Sequence, residues 1–96
     1  MSTILGYTFD GPYSIDTNFN TVSGVYVIHD GDKFLDVGET GNLKERIPNH
    51  ERKSCWNRSA GLKGIKLEFL NEADQQKRLL IEQDIRSRLN FSCGDR

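Results

Sequence analysis

Two cysteines in 96 residues, Cys55 and Cys93, are too few for a disulfide framework. They are expected as free thiols in a reducing cytosol. Their spacing from His29 and His50 fits no zinc-ligand pattern, and nothing around Cys55 and His50 suggests a thiol hydrolase. No apolar run approaches the length of a membrane span. Residues 1–10 lack a basic segment followed by an apolar stretch, so no secretory leader is expected and the chain reads as cytoplasmic. Prolines number only two, and repeats, low-complexity tracts and proline-rich linkers are missing, which leaves one domain over residues 1–96. Hydrophobic residues make up 35% and charged ones 28%, enough apolar surface for a modest core and against disorder.

A strong excess of positive charge is missing too. The net charge is −1, but its distribution is uneven. Residues 1–43 sum to −5, residues 44–66 to +5, and residues 67–96 to −1. The basic block holds Lys44, Arg46, Arg52, Lys53, Arg58, Lys63 and Lys66. Such a block can meet phosphates. It can equally be a solvated face that offsets the acidic N-terminal part.

What is present reads as α+β. Residues 1–20 form an irregular lead-in or an extra edge strand, with a turn at Gly11-Pro12. Residues 23–29 are rich in β-branched and aromatic types and predict a strand. Asp30-Gly31-Asp32 is a turn signal, and residues 33–38 predict the returning strand of an antiparallel hairpin. Asn42 is a good N-cap, with Glu45 placed for a capping box and Leu43 and Ile47 on one helix face. Pro48 must kink or break that helix, and a second piece starting there would run through His50 to about Trp56. Residues 64–70 alternate apolar and charged side chains, as a half-buried third strand does. A last helix is expected from Asn71 to about Leu89, burying Ile81, Ile85 and Leu89 with help from Leu80 and Ala73. The sum is a small antiparallel core sheet of three strands flanked by helices.

The ordered motifs carry a further signal. Gly24-Val25-Tyr26 falls on the first core strand and Asp36-Val37-Gly38 on the second. Asn42-Leu43-Lys44-Glu45-Arg46 opens the helix, His50 follows, and Glu82 lies in Ile81-Glu82-Gln83-Asp84-Ile85-Arg86. Over about residues 23–94 this set resembles the GIY-YIG nuclease superfamily. The resemblance implies an endonuclease that hydrolyses nucleic-acid phosphodiesters with Mg²⁺ or Mn²⁺, and DNA ranks ahead of RNA as substrate. Its alternative is a catalytically silent module of the same fold that binds nucleic acid or a protein. A homodimer or a partner protein would supply specificity.

The resemblance also assigns roles. Glu82 would hold the hard cation through oxygen. Arg46 would present its planar fork to phosphate. Tyr26 would position or deprotonate the attacking water, and His50 would move protons near neutrality. Gly38 would permit close approach of backbone at the strand end. Thr40 and Asn42 would orient the start of the helix or touch phosphate, and Lys44, Arg52 and Lys53 would meet the backbone of the nucleic acid. Asp36 stands where the family has its second tyrosine. It would substitute as a metal ligand, pair with Arg46, or mark altered chemistry.

Overall fold

A computed structural model describes residues 1–31, 33–60 and 64–94. Asp32 of the expected turn and Lys63 of the basic block lie outside the described residues. The elements in chain order are β1 (Ser2–Ile4), β2 (Tyr7–Ser14), β3 (Gly24–His29), β4 (Phe34–Thr40), α1 (Leu43–Arg46), α2 (Lys53–Ser59), β5 (Lys66–Asn71) and α3 (Gln75–Arg88).

The sheet has five strands, not three, in the order β1-β2-β5-β3-β4, and every neighbouring pair is antiparallel. The expected core hairpin is β3–β4, with Tyr26 opposite Gly38 and Val27 opposite Val37. β5 closes on the other side of β3, pairing Tyr26 with Phe69. Central β3 is buried along its whole length, because both faces of the sheet are covered. Tyr26, Ile28, Leu67 and Phe69 point to one face and pack with Leu43, Ile47 and Trp56. Val25, Val27 and Val37 point to the other and pack with Ile85 of α3.

The N-terminal part is the main departure from expectation. It forms the hairpin β1–β2, turning at Leu5 and Gly6, both with positive φ (52° and 88°). Two central residues of positive φ match the twist of a two-residue hairpin turn, but leucine rarely takes that role, so no sequence signal marks it. β2 then runs straight through Gly11-Pro12, which is a bulge and not a chain reversal.

The helices are shorter than expected. Asn42 does cap α1, its side chain accepting from the Glu45 N–H at 3.4 Å. Pro48 ends that helical turn, but α2 begins only at Lys53, so residues 47–52 form a turn and no helix joins Arg46 to His50. α3 starts after Asp74, whose carboxylate accepts from the N–H groups of Gln76 (2.9 Å) and Lys77 (3.3 Å). Asn71 is not the cap; it pairs with Gly24 at the end of β5. Ile85 is fully buried and Ile81 and Leu89 partly, whereas Leu80 (66% exposed) and Ala73 face solvent. Among the described residues, no helix is long and apolar enough to cross a membrane.

Cys55 and Cys93 are not free thiols: they form a disulfide that ties α2 to the segment after α3. Sequence could not show this, since the partners are 38 residues apart and only the packing of both against the sheet makes them neighbours. Closing a loop of that size restricts the unfolded chain by about 2–4 kcal/mol. Urea unfolding of oxidised protein should therefore show that loss for Cys93→Ser. Wild type and variant should converge once a reductant is added.

Candidate functional site

The site is built around β4, which lies at one edge of the sheet. Tyr26 projects from β3 across Gly38 of β4, and a methyl group at position 38 would overlap the phenol. What comes close to Gly38 on this side is the Tyr26 ring. The phenol oxygen and His50 Nε2 are 2.7 Å apart, and both side chains are buried. His50 Nδ1 accepts the backbone N–H of Arg52 at 3.0 Å. A neutral imidazole with Nδ1 as acceptor carries its proton on Nε2, so His50 donates to the Tyr26 oxygen. The Arg46 guanidinium lies against the same phenol.

Burial sets the protonation of this pair. It pushes the Tyr26 phenol up to about 12, opposed mainly by Arg46. It draws the His50 imidazole down to about 4, with Arg46 and Arg52 adding to the effect. Both groups are neutral at pH 7, a setting that does not suit His50 to the proton shuttling expected of it. The linkage is testable. Unfolded histidine binds its proton near 6.5 and folded His50 only near 4, so the unfolded state gains protons first as pH falls. Stability should fall from pH 6.5 towards 4, by roughly 3 kcal/mol over the whole window, and level off below it. Urea titrations at pH 6.5 and 4.5 should show a smaller drop for His50→Gln. Glu51, held at about 2 chiefly by Arg46, keeps its stabilisation above about pH 4.5 and loses it between there and 2.

Arg46 makes a bidentate ion pair with Glu51, at 2.7 and 3.1 Å. It also borders an open hollow of about 520 Å³ whose walls include Thr40, Asn42, Glu45 and Asn49. Thr40 accepts the Asn42 N–H at 3.0 Å and Asn42 caps α1, so both serve the turn and also face the hollow. Lys44 is exposed on α1, while Lys53 lines a separate cleft of about 200 Å³ beside Pro48.

Asp36 takes guanidinium partners other than Arg46. It is fully buried, and its Oδ1 accepts from the Val37 N–H (2.9 Å) and Arg86 Nη2 (2.6 Å). Its Oδ2 accepts from Arg52 Nε (2.7 Å) and Trp56 Nε1 (2.9 Å). Both oxygens are committed to N–H donors, and the guanidinium partners are Arg52 and Arg86, not Arg46. Asp36 therefore adds no bare negative charge to the hollow. The same contacts engage Arg52, which sequence reading had assigned to phosphate.

Glu82 lies on α3, which packs beside the edge strand β4, and does not line the hollow. Arg86 Nε is 3.6 Å from its carboxylate. Burial raises its pKa; Arg86 opposes the rise and nearby Glu39 adds to it. Arg78 holds Glu39 at 2.9 Å. The fold thus gathers Tyr26, Arg46 and His50, while Glu82 is linked to them through Arg86, which also holds Asp36, and through the field of Arg52. Among the described residues no three His, Cys, Asp or Glu side chains form a metal-holding group. The Glu82 carboxylate is half-buried and lies in the opposing fields of Arg86 and Glu39. Sequence reasoning missed Glu51 and Glu39, which no motif marks and only tertiary contact connects to the site. The chain matches no family model, and no curated protein or solved structure matches it.

Proposed function

We propose that this chain is a GIY-YIG-like endonuclease that hydrolyses nucleic-acid phosphodiesters, with Arg46 as the phosphate-binding group. The observation that carries this reading is the cluster in which Arg46 lies against the Tyr26–His50 pair at the border of an open hollow. A guanidinium offers phosphate two parallel N–H donors and stays charged at any working pH. Here the buried phenol fixes its orientation. Tyr26 and His50 act through Arg46 as positioning residues. Mg²⁺ or Mn²⁺ held by Glu82 would supply Lewis acidity to the phosphoryl group.

Purified protein incubated with plasmid, single-stranded DNA and structured RNA should cut at least one of them with Mg²⁺ or Mn²⁺ and none with chelator. Millimolar Mg²⁺ should shift the backbone amide signals of Glu82 and its helical neighbours. The second reading, a silent module, draws on the full burial of Tyr26 and the separation of Glu82 from the hollow. No cleavage on any substrate and unmoved Glu82 signals would establish it over the nuclease.

A further inference from the structure

On the far side of α1 lies a second concavity, of about 260 Å³, which no part of the proposed chemistry uses. Phe19 and Phe69, both buried, contribute its apolar walls, and Asp10, Tyr13, Asn18 and Asn71 surround them. Leu43, the residue after the α1 cap, lines this pocket, while Asn42 lines the hollow of Arg46. One turn of chain separates the two cavities.

The bulge in β2 assembles this pocket. Asp10 pairs with Phe69 and Tyr13 pairs with Leu67. Phe69 and Leu67 are two residues apart and share a face, but Asp10 and Tyr13 are three apart. An unbulged strand would set Pro12 opposite Leu67 and send Tyr13 to the other face. The extra residue instead re-aims the Tyr13 ring to the side of Asp10 and Phe69. Tyr13 is 41% exposed and meets Phe19 edge to face, which leaves a ring face open to solvent.

The chemistry of these walls selects a ligand. A volume of 260 Å³ is below the roughly 300–1,000 Å³ of sites for drug-sized molecules and suits a single ring system. Among the described residues, no lysine, arginine or histidine lines the pocket, and its one ionised group is the acid Asp10, so phosphate is disfavoured. Phenyl and phenol rings bind flat π systems by stacking. The side chains of Asp10, Asn18 and Asn71 bond to no other described protein group and are free to pair with ring substituents. Asp10 can only accept, which favours a ring bearing an amino group.

We propose that this pocket binds one unpaired nucleobase of a single strand, preferring amino-bearing guanine, adenine or cytosine over uracil and thymine. The proposal rests on the nuclease reading: it gives that site a base-reading subsite one turn of chain away from the phosphate-binding Arg46. Selection of an unpaired base would direct the protein to single-stranded or distorted nucleic acid.

The test is binding, read without cleavage. Guanosine, adenosine, cytidine and uridine are titrated while the side-chain amide signals of Asn18 and Asn71 are followed. The three amino-bearing nucleosides should move them at lower concentration than uridine does. Tyr13→Ala should weaken guanosine binding by about tenfold or more through lost stacking. Asp10→Asn should weaken it by about tenfold and remove the preference over uridine. Both residues are exposed, and unchanged amide signals elsewhere would show the variants folded. A single-stranded oligonucleotide made with an uncuttable backbone should move the same signals, and its abasic counterpart should not. Still signals with every nucleoside, equal shifts with the abasic strand, or wild-type affinity in Tyr13→Ala would overturn the proposal. Nucleoside binding by a protein that cuts no substrate would uphold the pocket and defeat the nuclease reading, so the two failures are separable.

Discussion

An Arg46→Ala protein should cleave about 10²–10³-fold more slowly than wild type, with nearly unchanged thermal stability. The rate effect follows from removing one preorganised donor to a phosphoryl oxygen where charge develops. The small stability effect follows from exposure. The Arg46–Glu51 pair is 32% and 59% exposed on its two side chains, and exposed pairs contribute about 0–1 kcal/mol. That same weakness lets phosphate take the guanidinium from Glu51. Glu51→Gln should accordingly lower KM while leaving kcat nearly unchanged, because the competing carboxylate is gone and the guanidinium remains. Single-turnover cleavage of a labelled strand, with melting curves beside it, measures both variants. A wild-type rate in Arg46→Ala would remove Arg46 from the chemistry.

Asp36→Ala is expected to be the most destabilising single change at the site. The carboxylate is fully buried and accepts from groups on α2, α3 and its own strand. Deleting it leaves the Trp56 indole N–H without its acceptor and takes from Arg52 and Arg86 the buried carboxylate that pairs with both. Removing one partner of a buried pair costs about 3–5 kcal/mol, mainly through the uncompensated charge left behind. For a domain of this size total stability is about 5–15 kcal/mol. The melting temperature should drop by roughly 15 °C or more. Urea unfolding of Asp36→Ala and of the near-isosteric Asp36→Asn measures the cost, and a loss under about 1 kcal/mol in both would show that these contacts do not hold the fold.

Asp36 also bears on what a motif can tell. Its position in the second strand of the hairpin is legible from sequence, as are the β-branched run of β3 and the break at Pro48. Its partners are not. Arg52, Trp56 and Arg86 lie 16, 20 and 50 residues further along the chain, and no local pattern couples them to it. An extra edge strand is legible in residues 1–20, but the β1–β2 turn is not, for a different reason: Leu5 takes a left-handed conformation that sequence rules assign to glycine or asparagine. Gly11-Pro12 misled in the opposite sense, because residues that usually reverse a chain here form a bulge within a strand that continues.

The amino-acid sequence by itself determined the α+β class, the central hairpin and the helix cap at Asn42. These depend on hydrophobic period, turn and cap preferences and side-chain functional groups, all local to a few residues. Only the tertiary structure decided that Tyr26 lies buried over Gly38 with His50 and Arg46, that Asp36 is tied to Arg52 and Arg86, that Cys55 meets Cys93, and that Glu82 faces Arg86 outside the lining of the hollow. Those facts depend on which distant segments pack together, and burial then fixes the protonation and pairing that no local pattern encodes.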